Sequence, residues 1–125
     1  VPVPDALIVM ERFEHEKLDV YQAAIDYVGL ADSLVEALPR GRAYLADQLH
    51  RAATLIPLNI AEGAGEFGRK EKARFYRFAR RSATESAALL DVCRKLNLCD
   101  GVLLAQGRDL LLRIVSMLTK LVGKD

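Results

Sequence analysis

The chain has 125 residues, 51% hydrophobic and 28% charged, with 6% aromatic and no Trp. That length makes one domain with enough apolar material for a core, and the composition excludes a disordered or fibrous chain. A net charge of +1 gives no whole-protein argument for nucleic acid, so any such argument rests on where the charges lie.

Residues 1–16 read as an extended N-terminal segment ahead of a helical domain over 17–125. In "VPVP" each proline disfavours helical dihedrals in the residue before it. "ALIVM", at 6–10, is far shorter than the roughly 18 apolar residues of a membrane span. No signal-peptide pattern is present, so no membrane partner is expected and the expected location is the cytoplasm.

The first helix is expected over 17–38. Tyr21, Ala24, Ile25, Val28, Ala31, Leu34, Val35 and Leu38 recur at the three-and-four spacing of one helix face. "LPRG" stops it, because Pro39 restricts Leu38 and Gly41 frees the turn. The second helix, over 42–62, carries Leu45, Leu49, Ala52, Ala53, Ile56 and Ile60 on one stripe. Pro57 lies inside it. Proline cannot donate to the carbonyl of Ala53 and crowds it, at a cost of about 3 kcal/mol in an ordinary helix interior. The stripe keeps its phase across Pro57, which predicts one kinked helix rather than two.

Gly63-x-Gly65-x-x-Gly68 matches the dinucleotide-binding fingerprint in letters alone. That fingerprint needs a preceding strand and a βαβ unit. Here a helix precedes it and no strand pattern exists, so no cofactor is expected. Gly63 reads instead as a left-handed C-cap, Gly65 as a turn residue, and Gly68 as the N-cap of a third helix with Glu71 at its third position.

The third helix is expected over 69–97, with Phe75, Phe78, Ala79, Ser82, Ser86, Leu89, Leu90, Cys93 and Leu96 inward. "NLCDG" breaks it. The fourth runs over 102–121. Its apolar residues, Leu110, Leu111, Leu112, Ile114, Val115, Met117, Leu118, Leu121 and Val122, cover more than one stripe. A helix apolar nearly all round is buried nearly all round, which predicts a second packing surface and hence an oligomer. The fold expected is all-α: an antiparallel, up-down-up-down four-helix bundle with short connections.

Cys93 and Cys99 are two thiols, and His15 and His50 do not complete a metal-ligand set; both cysteines are expected as free, buried or half-buried thiols and no metal is expected. Asn59 and Glu62, three apart, share a helix face near Pro57. They read either as a carboxylate site for acid–base work or as groups that bond backbone freed by the kink and the corner, or pair with an Arg. The second reading is preferred because no second catalytic partner is visible. Ser82-x-x-Glu85 spells a capping box but lies mid-helix, and nothing around Ser82 supports a nucleophile. No catalytic residue is expected.

"QLHRAATLIPLNIAEGAG", at 48–65, resembles the four-helix-bundle proteins encoded in intervening sequences of bacterial large-subunit ribosomal RNA genes. "LDVYQAA" resembles that family's opening helix, with Tyr21 where Trp is usual, and "FYRFARRSATE" its third-helix signature. The run Asn59-Ile60-Ala61-Glu62-Gly63, in company with Gln48, Arg51, Ala52 and Ala53, is the most specific part. The resemblance implies a small helical homopentamer without enzymatic activity. It also implies kinship with the accessory proteins of diversity-generating retroelements, pentameric barrels that bind nucleic acid and a reverse transcriptase. Gln48, Arg51, Asn59, Glu62, Ser82 and Glu85 are then expected as a structural polar corner. The sequence departs from the pattern at Glu66 (usually Arg), Gly68 (Ser), Leu55 (Ser), Lys72 (an aromatic) and Arg81 (Gly). An anion-binding role through position 66 is therefore not carried over.

Arg69, Lys70, Lys72, Arg74, Arg77, Arg80 and Arg81 crowd the first half of the third helix, with Glu71 against them and Phe67, Phe75, Tyr76 and Phe78 interleaved. Lys70, Arg74, Arg77 and Arg81 form one stripe. These seven are the candidate RNA- or DNA-binding residues. Before Ala37, by contrast, Asp5, Glu11, Glu14, Glu16, Asp19, Asp26, Asp32 and Glu36 face only Arg12 and Lys17. The acidic first helix could therefore pair with the basic third, within a subunit or between copies. A nucleic-acid face, an assembly face and a merely solvated face remain open at this point. The partners expected are the chain itself, as a homopentamer by resemblance, and RNA or DNA as a candidate.

Overall fold

The computed structural model describes residues 12–123, and the "VPVP" and "ALIVM" segments lie outside them. Phe13 is extended, as expected for the N-terminal segment, but Glu14–Lys17 wind into a 3₁₀ turn. His15 holds this turn on the bundle by meeting Tyr21 edge-on, ring centroids 4.5 Å apart.

Four helices follow: α1 (Asp19–Glu36), α2 (Ala43–Ala64), α3 (Arg69–Lys95) and α4 (Gly101–Val122). The breakers act where their chemistry places them. Gly41, after Pro39, takes a positive φ of 90° between α1 and α2. Gly68 is the extended N-cap of α3. Asp100 caps α4, its carboxylate accepting from the Val102 amide at 2.9 Å. At the end of α3, Asn97 adopts a left-handed φ of 56°. The Leu98 amide then donates to the Cys93 carbonyl at 3.0 Å and the Asn97 amide to Arg94 at 3.1 Å, which is a Schellman closure.

The helix α2 runs unbroken through Pro57, as the unshifted phase of its stripe requires. Asn59 donates its amide to the Leu55 carbonyl at 2.9 Å. That carbonyl is not the one Pro57 leaves without a donor, which belongs to Ala53, so Asn59 does not repair the proline site as the sequence suggested.

Each helix packs on its two neighbours in the order α1, α2, α3, α4 and back to α1, while the backbones of the diagonal pairs α1–α3 and α2–α4 stay apart, Tyr27 of α1 reaching Ser86 of α3 across the core. Each contact joins a late position of one helix to the first half of its neighbour or to the turn just before it. Asp32 meets His50 at 3.3 Å, Gly63 packs on Tyr76, Arg80 reaches Thr119 at 3.3 Å, and the Cys99 thiol lies 3.9 Å from the Leu34 carbonyl.

One core fills the axis, with Tyr27, Leu34, Leu49, Ile56, Ile60, Leu111, Ile114 and Leu118 fully buried. Two details depart from the expected stripes. In α1 the deep aromatic is Tyr27, while Ile25 is exposed. In α3 Tyr76 points inward; Phe75 and Phe78 are only half-buried and Leu96 is exposed.

The fourth helix also differs from expectation. Its buried stripe is Leu104, Gly107, Leu111, Ile114, Leu118 and Val122, flanked by half-buried Leu110, Val115 and Met117. Of the apolar residues that suggested burial all round, only Leu112 and Leu121 are exposed, at 55% and 38%. Arg108, Asp109, Arg113, Ser116, Thr119 and Lys120 share that outer face. The wide apolar arc is covered because α4 lies against both α1 and α3. The fourth helix therefore does not by itself demand a second copy.

Candidate nucleic-acid interface

The helix α3 turns Ala73, Tyr76, Ala79 and Ala83 to the core. The positions opposite that stripe are Lys70, Arg74, Arg77 and Arg81, and among them Lys70, Arg74 and Arg81 are exposed while Arg77 is half-buried. The half-buried rings of α3 brace this row. Phe75 and Phe78 meet edge to face at 6.0 Å. The Arg74 guanidinium lies 5.6 and 5.4 Å from their centroids, and Arg81 lies 5.7 Å from the Phe78 centroid. Such cation–π contacts orient a guanidinium while leaving its N–H fork free for oxygens. Glu71 accepts from Arg74 at 3.3 Å on the exposed surface, where a pair of this kind contributes little.

The remaining candidates divide. Arg69 is exposed at the start of the helix, its guanidinium beside Gly123. Half-buried Arg80 donates to the Thr119 hydroxyl at 3.3 Å, tying α3 to α4. Arg77, Arg80, Arg81, Thr84, Glu85 and Val115 border a shallow groove along that seam. Lys72 does not belong to the face. Its ammonium donates to the Ala64 carbonyl at 2.9 Å and lies 3.5 Å from that of Gly63, closing the C-terminus of α2, where a cation meets the negative end of the helix dipole.

The polar corner expected from Gln48, Arg51, Asn59, Glu62, Ser82 and Glu85 is not assembled. Gln48, Arg51, Glu62 and Glu85 are exposed, Asn59 is half-buried and bonded within its own helix, and Ser82 is buried. Gly63 is corrected too. It lies inside α2, with no positive φ, and a Cβ there would sit 2.8 Å from Tyr76 Cε1. It is a close-packing glycine, and the dinucleotide fingerprint has no strand to stand on among the described residues.

The acidic and basic helices are separated by the fold. Because α1 and α3 occupy opposite corners, the α1 backbone does not run beside the α3 row within one subunit.

Two features had no sequence signal. Tyr27 is fully buried, and burial pushes its phenol up to about 12, with Ser86 opposing and Cys93 adding to the shift. Ser86 lies beside it, yet neither hydroxyl completes a hydrogen bond. Burial likewise raises the Cys93 thiol to about 11, the neighbouring Cys99 adding to it, so this cysteine is a core residue and a poor nucleophile. Phe67, at the tip of the α2–α3 turn, is fully exposed. Among the described residues no three His, Cys, Asp or Glu side chains group as a metal site, and no helix is long and apolar enough to cross a membrane.

Compared with known proteins, residues 16–120 match the family model described as 23S rRNA-intervening sequence protein. The fold is similar to the crystal structure of a protein of unknown function from the S23 ribosomal protein family of Bacteroides thetaiotaomicron. That likeness has a TM-score of 0.77 at 16% identity and covers 84% of this chain and 99% of the other; it speaks to fold alone. None of the curated proteins matches the chain.

Proposed function

We propose, from the premise that this chain belongs to the 23S rRNA-intervening sequence protein family, that it is a non-enzymatic, self-assembling cytoplasmic protein that presents the α3 row to RNA or DNA. The observation that carries this reading is the exposed line Lys70, Arg74 and Arg81, braced by Phe75 and Phe78. Oriented guanidiniums on a helix surface suit phosphate oxygens, which carry no sequence information. Binding is therefore to the backbone and independent of sequence. Assembly as a homopentamer, implied by the resemblance, would repeat the row around a ring and raise its field.

The test is the salt dependence of RNA affinity. Replacing Lys70, Arg74 and Arg81 together by Gln should lower affinity. It should also flatten the log–log slope by about 0.7 for each single-strand phosphate that the protein no longer neutralises. An unchanged slope removes the row from the interface.

A second reading is favoured by the opposite-corner placement of α1 and α3. The two helices do not run side by side within one chain, so the row could serve assembly through acidic surfaces of a partner copy. Replacing Arg74 and Arg81 alone by Gln separates the two readings: loss of the oligomer with RNA affinity unchanged selects the second.

A further inference from the structure

Phe67 stands fully exposed at the tip of the α2–α3 turn, and therefore packs on nothing among the described residues. Aromatic side chains displayed in this way are characteristic anchors of protein interfaces. Arg69 and Lys70 follow it, both exposed and without an ion-pair partner among the described residues. The tip is thus an apolar knob beside two cations.

At the same end of the bundle lies a groove of about 560 Å³. Phe13, Leu58 and Ala61 form its apolar part, and Glu14, Glu62 and Glu66 its rim. Phe13 and Leu58 are 67% and 55% exposed, so the groove presents open apolar surface. Glu14 is engaged by Lys17 at 3.0 Å; Glu62 and Glu66 have no ion-pair partner among the described residues. Knob and groove are complementary in both respects, aromatic to apolar and cation to carboxylate.

We infer that Phe67 of one copy seats in the Phe13–Leu58–Ala61 groove of a second copy of this chain, with Arg69 and Lys70 against Glu62 and Glu66. The chain's own knob leaves its own groove unfilled, since Phe67 is fully exposed although the adjacent Glu66 lines the groove. Every copy carries both halves, so the contact repeats from copy to copy and gives a ring where its rotation closes. Like-charged rims repel when groove meets groove or knob meets knob, which fixes the pairing. The inference rests on the self-assembly reading and leaves Arg74 and Arg81 outside the contact.

Sedimentation of the full chain at micromolar concentration tests it. Phe67→Ala should weaken association at least tenfold and leave the helical signal and monomer melting unchanged, because the ring packs on nothing among the described residues. Glu62→Lys should weaken association, and adding Lys70→Glu in the same chain should recover it. A photo-crosslinker at position 67 should capture residue 13 or 58 of another copy. An oligomeric wild type whose mass neither Phe67→Ala nor Glu62→Lys alters overturns this contact and leaves self-assembly standing. A crosslink to RNA, to an unrelated protein or to residues 1–11 of the same chain also overturns it. A monomeric wild type overturns self-assembly itself.

Discussion

Gly63 and Gly29 both lie within helices, and alanine at the two positions should act with opposite sign. At exposed Gly29 a Cβ meets nothing within 4 Å, so Gly29→Ala should stabilise by about 0.5–1 kcal/mol through backbone entropy. At Gly63 a Cβ would stand 2.8 and 2.9 Å from Tyr76 and 3.1 Å from Phe75 Cβ. Tyr76 is buried, only 5% exposed. Overpacking of about 1–3 kcal/mol then exceeds the propensity gain, and Gly63→Ala should lower stability in urea unfolding. The sequence misleads at Gly63 because a glycine near a helix end looks the same whether it caps the helix or admits a neighbouring ring. Only the packing of α3 on α2 separates the two. The inward turn of Tyr76 was hidden for a related reason: "FYRF" offers aromatics at neighbouring positions, and helix phase selects among them.

At the scale of the element, caps and breakers were legible where the chemistry is local. Gly68, Asp100, "LPRG" and the end of α3 act within a few residues of their own position. Lys72 was not legible in this way, because inside a run of cations its partner is eight and nine residues away on another helix. Lys72→Ala should cost about 1 kcal/mol, the order of a part-exposed charged hydrogen bond. The loss should appear as earlier melting, with faster amide exchange at the end of α2. If exchange there is unchanged, the ammonium does not close that helix.

For the whole molecule, the buried titratable groups set an alkaline limit. Burial raises the Cys93 thiol from 9.0 to about 11 and the Tyr27 phenol from 10.0 to about 12. Both groups are neutral in the fold at neutral pH. Once the pH passes their unfolded values, the unfolded chain sheds protons that the native chain keeps, so stability falls as pH rises. It is retained below about pH 9 and lost progressively up to about pH 12, at roughly 1.4 kcal/mol per pH unit for each group. Tyr27→Phe should remove the upper part of that decline. It should be neutral or stabilising by about 1 kcal/mol at pH 7, because it deletes a buried hydroxyl without a partner. A steeper alkaline decline in Tyr27→Phe than in the parent would contradict a desolvated phenol.

The sequence by itself determined the four helices, their stops and most of the core, since three-and-four spacing and local breaker chemistry act along the chain. It also placed Lys70, Arg74, Arg77 and Arg81 on one side of α3, because helix geometry alone aligns them. The tertiary structure decided what each face meets. It set the acids of α1 and the cations of α3 at opposite corners, enclosed most of the apolar arc of α4 within one chain, took Lys72 out of the basic row, and left Phe67 exposed at the same end as an acidic groove. Those outcomes depend on contacts between residues distant in sequence, and the periodicity of a single helix carries no information about its neighbour.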